Sequence, residues 1–146
     1  MSVTHVVFDA DSFGITQKSL KMLRDAITEK STHRIAVVEI PTNDLCCGYL
    51  ILDWERQNAT WTGDGFRIDR CGEGGAGYGS AEALFGLFGI RPILWETVNI
   101  EELYALPEED IGKRLLNLSR KIAGELSDQE FRRPIDKEPG YIRSAI

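Results

Sequence analysis

The stretch Arg67-Ile68-Asp69-Arg70-Cys71-Gly72-Glu73-Gly74-Gly75-Ala76-Gly77-Tyr78-Gly79-Ser80 concentrates residue types suited to holding an anion. Of the 14 glycines in the 146 residues, nine fall between Gly63 and Gly89. A glycine-rich backbone can turn several N–H groups toward one anion, and a following helix N-terminus adds partial positive charge. Arg67 and Arg70 stand just upstream and offer guanidinium groups to a phosphate or carboxylate. Tyr78 offers a ring face for stacking. Gly74, Gly75, Gly77 and Ser80 complete the candidate ligand-binding set. Glu73 opposes an anion here. A surface loop, or a crossing where only glycine fits beside another backbone, accounts for the same composition without a ligand.

Gly72, Gly74 and Gly77 satisfy G-x-G-x-x-G between a predicted strand and a predicted helix, and Glu96 lies near the end of the next predicted strand. This looks like a dinucleotide-binding fingerprint. The strand before it, FRIDR, carries three charges where a buried parallel strand would be apolar, so a complete Rossmann domain is not expected. A second candidate is Asp9-Ala10-Asp11, after the apolar run His5–Phe8. Two carboxylates two apart in an extended chain point the same way and could share one Mg²⁺. The pair resembles the first motif, D-x-D-x-T, of the haloacid-dehalogenase-type phosphatases, with Phe13 at the threonine position. That resemblance implies a metal-dependent phosphoesterase working through Asp9 and Asp11. The plain alternative is an acidic turn leading into a helix.

Cys46, Cys47 and Cys71 are an odd number of cysteines, and none is spaced as C-x-x-C. His5 and His33 are far apart and form no ligand pattern, so no metal site is expected. Free thiols behind an N-terminus that lacks signal-peptide character point to a reducing, cytoplasmic setting. No apolar run approaches the roughly 18 residues of a membrane span. Seventeen basic against 23 acidic residues give a net charge of −6, with the excess in residues 1–107. That balance argues against a duplex nucleic-acid partner, which calls for a basic stripe.

The positions of these groups depend on a handful of predicted elements. Apolar residues at 42% and charged ones at 27% suit a domain that folds without staples. Strands are expected at 5–10, 34–40, 48–55, 59–62, 66–70 and 91–98. Trp54 and Trp61 are expected to pair across a hairpin. Helices are expected from a Thr16 cap to Glu29, over 81–88 from a Ser80 cap to a Gly89 stop, and from Pro107 to Leu126. The last is amphipathic, with Ile111, Leu115, Leu118, Ile122 and Leu126 in helical register. Turns are expected at Thr42-Asn43-Asp44 and after an Asn99 cap. Short links between 34 and 70 favour an antiparallel meander. The expectation is an α+β fold: a mainly antiparallel central sheet, flanking helices, one domain over 1–126 and a polar tail over 127–146. The tail packs on the surface or is partly disordered.

Three functions fit. The first is a non-catalytic binder of a phosphorylated, nucleotide-like small molecule, acting as a sensor or sequestering protein. The second is the phosphoesterase. The third is a protein–protein interaction module, with homo-oligomer formation through the 81–88 helix as one form of it. The residues name no cofactor.

Overall fold

Alternating residues along two strands face opposite sides of the sheet, and here both sides are covered. The strands are β2 (Ile35–Pro41) and β3 (Cys46–Asp53). Ala36, Val38 and Ile40 with Leu50 and Leu52 join one hydrophobic cluster. Ile35 and Val37 with Cys47, Tyr49 and Ile51 join another. Strands buried on both faces read as unbroken apolar runs rather than as alternation. The structure is a computed structural model that describes residues 1–29, 32–42, 45–96 and 101–134.

The remaining strands are β1 (His5–Val7), β4 (Asn58–Trp61), β5 (Phe66–Arg67) and β6 (Ile93–Leu94). Their order is β1-β4-β3-β2-β6, with β5 paired to β3 beyond the end of β4. The architecture is α+β. The sheet is mixed, which corrects the mainly antiparallel expectation. The meander β2-β3-β4 is antiparallel, but β1 joins β4 and β6 joins β2 in parallel. Among the described residues, only β3 runs against its five companions. The chain leaves each of these parallel partners through intervening elements before returning, which is the long connection parallel pairing needs.

Helix α1 (Thr16–Glu29) and helix α2 (Gly72–Phe88) cover one face, through Leu23, Ala26 and Ile27 and through Ala81, Phe85 and Phe88. Helix α3 (Glu108–Glu125) covers the other through Ile111, Leu115, Ile122 and Ala123. Each wholly buried leucine or isoleucine contributes about 1.5–3 kcal/mol relative to exposure. Pro107 stands immediately before α3, whose first turn carries Glu108, Glu109 and Asp110, as the helix dipole favours. The segment after α3 is docked at Phe131 and Arg132. Phe131 is buried against Trp54, with ring centroids 5.1 Å apart, and Arg132 exchanges both backbone hydrogen bonds with Ile35.

Several local expectations are corrected. The glycine segment 72–79 is not a loop but the start of α2, which continues unbroken to Phe88. Ser80 is therefore an exposed mid-helix residue and no cap. Gly89 does stop the helix, in the left-handed region at φ 67°, and Ile90 N–H reaches back to the Phe85 carbonyl. Thr16 is the first helical residue of α1, and its hydroxyl donates to the Gly65 carbonyl at 2.6 Å. Trp61 sits opposite Leu50, while Asp53 faces Asn58, so the register keeps Trp54 and Trp61 apart. The strand expected at 66–70 ends at Arg67, where Asp69 turns back on it. Asn43, Asp44, Asn99 and the end of the strand expected at 91–98 lie outside the described residues, as do residues 135–146.

Candidate functional site

Both arginines expected to cradle an anion are paired with carboxylates of the chain itself. Arg67 makes a two-pronged bond to Asp69, Nε to Oδ1 at 3.0 Å and Nη2 to Oδ2 at 2.6 Å. That bond, with a backbone N–H from Cys71, holds the Asp69 carboxyl down to about 2. Arg70 pairs with Glu82 at 2.6 Å and lies over the Tyr78 ring. The glycines serve close packing. A Cβ on Gly75 would fall 2.0 Å from the Arg70 carbonyl carbon, one on Gly77 would fall 2.3 Å from the Thr16 methyl, and one on Gly74 would fall 2.7 Å from Arg67 Cγ. Their backbone is helical, so residues 72–80 present the start of a helix rather than a glycine loop.

Tyr78 belongs to a different constellation. Its hydroxyl donates to Glu39 Oε1 at 3.2 Å, and the Tyr49 hydroxyl donates to the same oxygen at 3.1 Å. Glu39 and Tyr49 are cross-strand partners on β2 and β3, so the sheet register itself sets this contact. Together with Glu82, Phe85 and Arg91 they line a groove of about 510 Å³. Burial, then the nearby Glu39 carboxylate, pushes the Tyr78 phenol up to about 12 from its ordinary 10.0. Burial raises the Tyr49 phenol further, and it raises the neighbouring Cys47 thiol.

A phenol whose pKa is higher in the folded chain stabilises fully below the unfolded value and loses that contribution as pH rises through the folded one. Stability should therefore fall from about pH 10 through pH 12. Ultraviolet absorbance should show late phenolate formation that coincides with unfolding. Tyr49→Phe and Tyr78→Phe should each remove part of the late component. Complete ionisation near pH 10 in the folded chain would contradict the geometry.

On the far side of Ile90 and Arg91, which line both concavities, lies a cleft of about 310 Å³. Its apolar wall is Ile35, Val37, Ile90 and Ile93, and it gathers Arg91, Arg132 and Arg133. Arg91 follows the Gly89 helix stop. Arg132 is fixed by its backbone pairing with Ile35, and Arg133 Nε donates to the Thr32 carbonyl at 3.0 Å. Among the described residues Arg91 meets no hydrogen-bond or ion-pair partner, and the Arg132 guanidinium meets only the Gln129 carbonyl, at 3.4 Å. The Glu130 carboxylate also borders the cleft but turns back to the Ser127 backbone N–H and hydroxyl. Arg91 opens the strand expected at 91–98, and Arg132 and Arg133 fall within the polar tail expected over 127–146. Nothing in their spacing signals that a strand edge brings them together.

The first of the amino-terminal acids caps a turn. Asp9 Oδ1 accepts the Asp11 backbone N–H at 2.9 Å and caps the short 3-10 turn Ala10–Ser12. Among the described residues one group of three metal-capable side chains occurs, and it is elsewhere: His33, Asp53 and Glu55. The three cysteines are free thiols, Cys47 buried and Cys71 exposed. Among the described residues no helix is long and apolar enough to cross a membrane. No protein-family model, curated protein or solved structure matches the chain.

Proposed function

We propose that the chain binds a phosphorylated, nucleotide-like small molecule without transforming it, in the cleft of Arg91, Arg132 and Arg133 rather than at the glycines. The observation that carries this reading is the lining of one cleft by three arginines, with Arg91 unpaired among the described residues, beside an apolar wall. Ligand pockets typically combine an apolar lining with a few convergent polar groups in about 300–1,000 Å³. The cleft falls at the small end of that range, at about 310 Å³. The guanidiniums would take the phosphate and the Ile35–Ile93 wall the ring. Three free thiols fit a reducing compartment, and we place the protein in the cytoplasm.

Calorimetry against inorganic phosphate, mononucleotides and cyclic nucleotides tests the reading. Arg91→Ala and Arg132→Ala should each weaken binding by roughly tenfold or more, since a hydrogen bond to a charged group contributes about 1.5–3 kcal/mol. Arg67→Ala, which removes an exposed side chain already paired with Asp69, should leave affinity unchanged. No heat at millimolar ligand, or an equal loss in Arg67→Ala, would sink the proposal.

A further inference from the structure

His33 and Glu55 lie on either side of a wholly buried carboxylate. Asp53 closes β3 with no exposed surface, pairing in register with Ile35 on β2 and Asn58 on β4. His33 Nδ1 lies 2.9 Å from Asp53 Oδ2, and one ligand atom from each of His33, Asp53 and Glu55 lies within 4.8 Å of the others. Sequence spacing hides this set, because His33 precedes β2, Asp53 ends β3 and Glu55 lies in the turn after it. The antiparallel pairing of β2 with β3 brings them together.

We propose that His33, Asp53 and Glu55 bind a divalent transition-metal ion of the zinc or manganese class. One imidazole nitrogen and two carboxylate oxygens suit those ions, whereas calcium takes oxygen ligands throughout. Bonds of about 2.0–2.2 Å to one ion set ligand-to-ligand separations of about 2.8–3.6 Å, from neighbouring octahedral to tetrahedral positions. The 2.9 Å between Nδ1 and Oδ2 is already within that range, so the pair needs little movement to share an ion. Glu55 Oε2 accepts the Arg34 backbone N–H at 2.7 Å. Its other oxygen, Oε1, has Arg34 Nε and Arg133 Nη2 at 3.9 Å, too far for hydrogen bonds, and is the one that can turn to a metal. Those two guanidiniums weaken the site relative to one without positive neighbours. Three protein ligands leave at least one coordination position for water or another ligand, as in catalytic rather than structural zinc sites.

The full chain, stripped with a chelator, is titrated with Co²⁺, Zn²⁺ and Mn²⁺, with calorimetry and the visible cobalt spectrum as readouts. One equivalent should bind, with nitrogen–oxygen ligation in the spectrum and no sulfur-to-metal charge-transfer band. His33→Ala and Glu55→Gln should each weaken binding at least about tenfold, while unfolding curves confirm that both variants fold. Cys71→Ser should bind as the parent does. Absence of saturable binding of all three ions at millimolar concentration would overturn the proposal. Affinity unchanged in folded His33→Ala, or lost in Cys71→Ser, would do the same.

Discussion

Gly75→Val should destabilise the fold by about 3 kcal/mol or more, at the upper end of what overpacking costs. The added Cβ would lie 2.0 Å from the Arg70 carbonyl carbon and 2.3 Å from its oxygen. Both are backbone atoms, so no rotamer change relieves the clash. Arg70 is itself held in the left-handed region at φ 64°, its N–H bonded to the Arg67 carbonyl, and Gly75 N–H donates to the Cys71 carbonyl. The turn and the first turn of α2 are thus clamped from both directions. Gly79→Ala is the matched opposite. Its Cβ meets nothing within 4 Å, so replacing a helical glycine should stabilise by about 0.5–1 kcal/mol. Urea unfolding of the two variants should therefore shift in opposite directions. A mobile ligand loop would behave differently, with both substitutions near neutral for stability and Gly75→Val harmful to binding alone. That pattern would overturn the helical reading of 72–79.

Most elements were legible because their signals are local. The β-branched run Ile35–Ile40 and the apolar run of β3 announce strands, and the recurrence of Ile111, Leu115 and Ile122 announces α3. The start of α2 was not legible, because glycine opposes helix by about 1 kcal/mol per residue. Here packing overrides propensity. Gly75 and Gly77 are buried because only hydrogen fits beside Arg70 and Thr16, and those two neighbours come from different parts of the chain. The mixed sheet escaped for a related reason. Short links correctly suggest the β2-β3-β4 meander, but no local signal states that β1 and β6 add to its edges in parallel.

The site shows the same limit more sharply. Arg67, Arg70 and Tyr78 were legible as chemistry-bearing residues, yet the structure sends each to a partner, Asp69, Glu82 and Glu39. Glu39 is one acid in an apolar strand, and only the register opposite Tyr49 shows it as a shared acceptor. His33 sat beside no ligand in sequence. Register places it against Asp53, and the bridge from Ile35 to Arg132 brings the carboxy-terminal arginines to the same end of β2.

Asp53→Ala should cost about 3 kcal/mol, the range for removing one member of a buried polar pair. At least two hydrogen bonds disappear together. Asp53 Oδ1 accepts the Arg56 backbone N–H at 3.1 Å, fixing the turn that leads β3 into β4. Oδ2 meets His33 Nδ1 at 2.9 Å, tying the start of β2 to the end of β3. Asp53→Asn keeps an acceptor for one of these partners and should lose about half as much. His33→Ala removes a half-buried ring and one contact, and should cost about 1 kcal/mol. The two positions share an interaction, so the double variant should be more stable than the sum of its singles predicts by about 1 kcal/mol. Chemical denaturation of the four proteins measures this cycle. Strict additivity would mean that Asp53 acts through partners other than His33, the Arg56 turn among them, leaving His33 a bystander and weakening the case for a shared metal. Coupling would show that folding already places imidazole and carboxylate together, and an ion arriving there would then meet ligands whose ordering cost the fold has already met.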